Sequence, residues 1–146
     1  MSQLFLRDRN RSKGIFYLIW GVALIATFGS LFFSEVMKQP PCVLCWYQRI
    51  AIYPLVLLIP VALLSNELVL FSKYIFTLAA AGLTVSIYHN LLYYGVIPTS
   101  ITPCTEGISC TSRQIEWLGF ITIPLLSSLA FLLIIVLLKV DRSRRP

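Results

Sequence analysis

Uncharged apolar residues gather into four long stretches along this chain, and short polar segments separate the stretches. The first, third and fourth are each long enough, at 1.5 Å rise per residue, to cross a hydrocarbon core of about 30 Å as helices. The uncharged run 50–64 would cover only about 22 Å, so its helix has to begin earlier, near Cys42, just after two prolines. The pattern predicts membrane-spanning helices at about 15–36, 42–64, 74–97 and 118–138.

Composition agrees with an all-α integral membrane protein. The 146 residues are 58% hydrophobic and only 12% charged, whereas a soluble domain has about 25% charged residues. No repeat or long polar segment indicates a second unit, so we predict one domain, 1–146, folded as a four-helix bundle. A cleaved signal peptide over 15–33 is less favoured, because this apolar run exceeds the usual length of about 7–15 residues and no small-x-small site ends it.

The basic residues predict the orientation of the bundle. They cluster between positions 7 and 13 and between 139 and 145, and positively charged segments stay on the cytoplasmic side. We therefore expect both termini to be cytoplasmic, with outer loops at 37–41 and 98–117. The net charge of +6 is then explained by the orientation of the chain in the membrane. Basic tails without interleaved aromatic residues do not indicate a nucleic-acid partner.

All four cysteines fall at the predicted outer face, where disulfides form and persist. Cys42 and Cys45 form a Cys-x-x-Cys at the mouth of the second helix, where unpaired backbone N–H groups favour the thiolate that attacks disulfides. Cys104 and Cys110 lie in the long outer loop, an accessible place for exchange with another protein. We therefore predict that all four cysteines are catalytic.

Two other interpretations of these cysteines are less favoured. As structural disulfides, the four-residue and seven-residue rings would contribute only about 2 and 2.4 kcal/mol in the loop-closure model, which makes them weak braces. A zinc site of four thiolates usually has two short knuckles, and the spacing of Cys104 and Cys110 is too wide for one. We therefore predict a redox site and no metal.

Arg49 is a charged residue at membrane depth, where it needs a partner. In helical geometry it shares one face with Cys42 and Cys45, at i, i+3 and i+7. Electrons taken from a dithiol must leave it, and the diffusible acceptor in a bilayer is a quinone. Arg49 is suited to polarise a quinone carbonyl. His89, near the outer end of the third span, either bonds the quinone or relays a proton, or is an interfacial residue held by a neighbouring helix.

The order of these features resembles the DsbB family of quinone-dependent thiol oxidases. The resemblance covers the whole chain, and its most specific element is Cys-Val-Leu-Cys-Trp-Tyr-Gln-Arg at the start of the second span, followed by a second cysteine pair before the fourth. Only five residues separate Cys104 and Cys110, as in the shorter form that resembles BdbC-type proteins of Gram-positive bacteria.

The resemblance implies a bacterial plasma-membrane enzyme that reoxidises a thioredoxin-like extracytoplasmic partner and passes two electrons to ubiquinone or menaquinone. In the implied relay the partner attacks Cys104, the loop pair is reoxidised by exchange with the Cys42–Cys45 disulfide, and Cys45 contacts the quinone. Arg49 and His89 would belong to the quinone site.

Two rival functions stay open. One is a non-enzymatic membrane subunit braced by two disulfides. The other is a vitamin K epoxide reductase-like enzyme, in which the Cys-x-x-Cys follows the loop pair, whereas here it comes first.

Overall fold

The described part of the chain is folded entirely into helices and their connections. The structure, a computed structural model, describes residues 2–38, 41–98 and 122–143. The helices are α1 (Ser2–Leu31), which continues as a π-helical turn (Phe32–Val36), α2 (Val43–Ser65), α3 (Leu68–Tyr93) and α4 (Ile123–Ser143). All four are long and apolar enough to cross a membrane. The predicted all-helical architecture with four membrane-length helices is thereby confirmed, and the orientation of the termini stays a prediction.

The helix bounds differ from the predicted spans at several ends. α1 begins at Ser2 and α3 at Leu68, each before its apolar stretch, and α4 continues to Ser143. Charged residues mark where a chain leaves hydrocarbon, but they do not interrupt the backbone hydrogen bonds that propagate a helix. Helices therefore extend past the apolar windows at these three ends, whereas α3 ends at Tyr93, before the predicted end at about 97. α2 begins at Val43 with Cys42 as its N-cap.

The connection between α2 and α3 consists of Asn66 and Glu67. Asn66 caps α2 in the left-handed conformation, with φ 59° and ψ 13°, which asparagine tolerates better than most residues with a side chain. So short a connection makes the two helices antiparallel neighbours.

The four helices form a closed ring in which α1 and α3 each pack against both α2 and α4. Large side chains at the centre, among them Phe16, Leu55, Ile59 and Phe131, are fully buried. Many other large apolar side chains point outward, and Leu64 is 83% exposed. Extended apolar outer surface around a packed interior suits a protein surrounded by lipid.

A proline in α2 creates a contact with α1. Pro60 lacks an N–H group, so it leaves the carbonyl of Val56 without its usual i+4 donor. The indole Nε1 of Trp20 on α1 donates to that carbonyl at 3.1 Å. Since an unpaired backbone group is costly where no water can reach it, Trp20 both satisfies the proline-freed carbonyl and ties α1 to α2.

α3 and α4 approach closely at a glycine and are joined further along by polar side chains. A Cβ added at Gly82 would overlap the ring of Phe131, so only glycine allows this approach, as at many membrane helix interfaces. Nearer the predicted outer end, Asn90 Nδ2 donates to the carbonyl of Pro124 at 3.0 Å and to Ser128 Oγ at 2.8 Å. These bonds hold the start of α4 against the end of α3, beside His89.

Candidate thiol–disulfide site

The site is built at the N-terminus of α2. Cys42 has extended backbone geometry, with φ −71° and ψ 168°, and its Sγ accepts a hydrogen bond from the N–H of Cys45 at 3.4 Å. The two Sγ atoms lie 3.0 Å apart, and both residues are present as thiols. The geometry brings the predicted Cys-x-x-Cys pair within easy reach of disulfide formation.

Cys42 lies just before the helix Val43–Ser65, which is long and apolar enough to cross a membrane. The hydrogen bond between the two thiols lowers the pKa of the Cys42 thiol, burial opposes this, and the nearby His89 ring lowers the pKa further. The orphan N–H groups of a helix N-terminus act in the same direction. In the dithiol form, Cys42 is therefore readily deprotonated.

His89 on α3 lies directly against Cys42. Its Nε2 is 3.8 Å from Cys42 Sγ, and its Nδ1 is 3.1 Å from Nε2 of Gln48 on α2. Both polar side chains are buried. Because an amide nitrogen only donates, this orientation of Gln48 makes Nδ1 the acceptor and leaves the ring hydrogen on Nε2, next to the sulfur. The sequence did not predict a role for Gln48, although a polar amide within an apolar helix indicates a functional position.

Arg49 has its partner on α1. Its Nε donates to Ser30 Oγ and its Nη2 to the Ser30 carbonyl, both at 2.9 Å. The guanidinium also lies 5.5 Å from the centre of the Trp46 ring, within cation–π range. Arg49 is only 8% exposed, so these contacts are what allow a charge at this depth. Ser30 was also missed in the sequence, where one serine in an apolar span gives a weak signal.

The π-helical turn begins at Phe32, two residues after Ser30. Within it the hydrogen bonding shifts from i+4 to i+5, since the N–H of Met37 donates to the carbonyl of Phe32 at 3.2 Å. Such turns disturb the regular ladder and frequently occur at functional sites. Here the turn ends α1 beside the residue that receives Arg49.

A cavity of about 470 Å³ opens between α1, α2 and α4. Cys45, Arg49 and Ser30 line it together with mainly apolar side chains, and its volume falls in the range of about 300–1,000 Å³ typical of small-molecule sites. Cys42 and His89 are not among the described residues that line it. α2 therefore presents Cys45 and Arg49, at i and i+4, to the cavity and Cys42 to α3.

The sequence predicted that Cys42, Cys45 and Arg49 share one helix face. In the structure they do not, because Cys45 and Arg49 line the cavity whereas Cys42 contacts His89 on α3. Cys42 is an N-cap with non-helical backbone, so a helical wheel does not describe where its side chain lies. Cys104 and Cys110 lie outside the described residues, and their predicted catalytic roles stay predictions, as does the predicted contact of His89 with a quinone.

The fold and the site together define a class: an all-helical protein with membrane-length helices and a thiol pair at a helix entrance beside a buried arginine. Comparison with known proteins makes the class specific. The family model described as "Disulfide bond formation protein DsbB" matches residues 11–140. The chain belongs to the DsbB family, and this membership implies disulfide oxidoreductase activity.

Several relatives match over most of their length. "Disulfide bond formation protein C" of Bacillus subtilis (strain 168) is 46% identical over 130 residues, covering 87% of this chain and 94% of the relative. "Probable disulfide formation protein C 2" of Bacillus anthracis is 43% identical over 129 residues, covering 88% and 90%. "Probable disulfide formation protein" of Metapseudomonas resinovorans is 40% identical over 128 residues, covering 87% and 88%. No solved structure matches the chain.

Proposed function

We propose that this protein is a membrane thiol oxidase that reoxidises a thioredoxin-like extracytoplasmic partner and passes the two electrons to a membrane quinone. The observation that carries the proposal is the shared cavity of Cys45 and Arg49, which puts a redox-active sulfur and a buried cation in one apolar space. The DsbB match over residues 11–140 favours this function over a vitamin K epoxide reductase-like one.

The residues of the cavity fit a quinone. A flat apolar ring needs apolar walls, and a carbonyl oxygen that gains negative charge needs a fixed cation. Arg49 supplies that cation, and its attraction is strengthened at low dielectric. Two of its N–H groups are held by Ser30, so the guanidinium is oriented in advance. A quinone bound there supplies a two-electron, two-proton acceptor.

The proposed relay begins at the outer loop. A thiolate of the reduced partner attacks Cys104 in the Cys104–Cys110 disulfide, and the partner's second thiol resolves the mixed disulfide. The partner leaves oxidised, and the loop pair is left as a dithiol. The loop dithiol then attacks the Cys42–Cys45 disulfide, so the loop disulfide reforms and the electrons move to the α2 pair.

Cys42 is the sulfur that we assign to attack by the loop dithiol. Breaking its bond to Cys45 leaves negative charge on the Cys45 sulfur, which lines the cavity with Arg49. When the Cys42–Cys45 bond reforms, the two electrons and two protons released would be taken up by a quinone held in the cavity beside Cys45 and Arg49. His89 Nε2 carries the ring hydrogen 3.8 Å from Cys42 Sγ, and it is placed to donate that hydrogen to the Cys42 thiolate during exchange.

Location follows from the same proposal. We place the protein in a bacterial plasma membrane, with the cysteine loops outside and both termini in the cytoplasm. Four membrane-length helices and the clusters of basic residues at both ends of the sequence support this orientation.

The test is an anaerobic electron-transfer measurement with the purified full-length protein in lipid nanodiscs that contain ubiquinone or menaquinone. Addition of a reduced thioredoxin-like partner should convert quinone to quinol in a one-to-one ratio with partner disulfide. Cys45→Ala should abolish quinol formation, and Cys104→Ala should also abolish partner oxidation. If the protein were a non-enzymatic subunit braced by two disulfides, the unmodified protein would form no quinol. That result would refute the proposed function.

A further inference from the structure

The thiol site has a second capacity where the start of α2 meets His89 of α3. The Sγ atoms of Cys42 and Cys45 and a ring nitrogen of His89 all lie within 4.8 Å of one another. Two thiolates and an imidazole are ligands that zinc(II) and other borderline-soft cations prefer. We propose that the dithiol form of this site binds one zinc(II) ion through Cys42, Cys45 and His89, and that this binding blocks both sulfurs.

The distances require only small movements. With bonds of about 2.3 Å to sulfur and 2.0–2.1 Å to nitrogen, a tetrahedral zinc ion sets its ligands about 3.8 Å apart for two sulfurs and about 3.6 Å apart for sulfur and nitrogen. Cys42 Sγ is already 3.8 Å from His89 Nε2, and the sulfurs are 3.0 Å apart. Rotation of the Cys45 side chain by roughly 1 Å at its sulfur opens the pair to the zinc geometry.

Charge balance favours zinc in this buried place. The ion replaces the protons of the two thiols, so its two positive charges meet two thiolates and the complex with neutral His89 carries no net charge. An uncharged complex avoids the large cost of placing an ion at the edge of a membrane. Hard cations such as Mg²⁺ prefer oxygen ligands, and among the described residues this cluster offers only sulfur and nitrogen.

Gln48 can orient the histidine for this role. Coordination through Nε2 requires the hydrogen on Nδ1, and the Gln48 amide accepts that hydrogen through its oxygen after a half-turn of the amide group. The same side chain therefore serves both states of the ring. Zinc binding would be specific for the dithiol state, since the Cys42–Cys45 disulfide offers no thiolate. This site differs from a four-cysteine site because it uses neither loop cysteine.

The experiment uses full-length protein with Cys104→Ala and Cys110→Ala, which removes competing thiols, in detergent under anaerobic conditions. Zinc(II) alone is titrated into the reduced protein, bound metal is counted after dialysis, and cobalt(II) is used as a coloured probe of tetrahedral thiolate coordination. We expect one ion per reduced chain, visible cobalt absorption, and protection of Cys42 and Cys45 from alkylation. No retained ion would overturn the proposal.

Variants test the ligand set. His89→Gln keeps a buried polar side chain and should weaken zinc binding at least tenfold, and Gln48→Ala should weaken it about 10–100-fold as loss of an orienting partner does. Asn90→Ala is the matched control, because Asn90 is the next residue but bonds α4, and it should bind zinc as the parent does. Equal affinity in the His89→Gln variant, or binding to the oxidised protein, would overturn the site.

These measurements involve neither quinone nor partner protein. Failure of zinc binding would therefore leave the proposed thiol oxidase function untouched, and failure of electron transfer would leave the zinc result standing.

Discussion

Arg49 and Ser30 are joined by two hydrogen bonds of 2.9 Å, one to the serine hydroxyl and one to its carbonyl. The pair connects the second helix of the bundle to the end of the first and fixes the direction of the guanidinium at the cavity wall. A residue on α1 that takes part in no sulfur chemistry thus sets the position of the site's cation.

Removing the Ser30 hydroxyl should therefore weaken quinone use. A hydrogen bond to a charged group is worth about 1.5–3 kcal/mol, so Ser30→Ala should raise the apparent KM for quinone about tenfold with a smaller effect on kcat. Ser30→Thr, which retains a hydroxyl, should restore most of the activity. Steady-state quinone reduction checks this.

Ser34→Ala is the matched control, because Ser34 also lines the cavity but its hydroxyl donates to Leu31 of its own helix. An equal rise in KM in the Ser34→Ala and Ser30→Ala variants would contradict the positioning role of Ser30.

Arg49 itself should matter for both binding and chemistry. Arg49→Gln removes the charge that would stabilise a developing oxyanion, and loss of one such group typically costs about 10²–10³ in kcat. Arg49→Lys keeps a charge but cannot donate to Ser30 through the planar fork, so we expect intermediate activity. The readout is quinol formation at saturating quinone.

In the proposed relay, attack by the partner does not use Arg49, so formation of the mixed disulfide with the partner should persist in both Arg49 variants. Unchanged quinol formation in Arg49→Gln would show that Arg49 has no part in the reaction.

The Trp20 indole should stabilise the protein only because Pro60 frees a carbonyl. Trp20→Phe removes the bond to Val56 and should lower the free energy of unfolding by about 1–3 kcal/mol. In a Pro60→Ala background, the new N–H can satisfy Val56 within α2, so the same substitution should cost less. Denaturation in mixed detergent micelles measures this double-mutant cycle. Equal costs in the two backgrounds would rule out the coupling.

Gly82 should tolerate no side chain while Phe131 faces it. Gly82→Ala places a methyl group against the ring, and overpacking of this kind costs about 1–3 kcal/mol. Phe131→Leu should recover part of that loss by shortening the facing side chain. Gly21→Ala is the control, because nothing lies within 4 Å of a Cβ at that position. Thermal unfolding would contradict the argument if both glycine variants behaved alike.

Local properties of the chain were sufficient to predict the membrane helices and the family. Each helix is specified by the length and hydropathy of its own segment, and the motif from Cys42 to Arg49 is contiguous. The helix ends were less predictable, because charge marks the membrane boundary whereas hydrogen bonding and caps mark the end of a helix.

The sequence by itself determined that four apolar helices form, that two thiols stand where the second begins, and that a buried arginine follows them. Only the tertiary structure decided which neighbour each side chain meets: Cys42 turns to His89, Cys45 and Arg49 face the cavity, and Ser30 receives the guanidinium. The reason is physical. Hydropathy and spacing act along one segment, but the rotation of a helix about its axis is set by packing against helices distant in the chain.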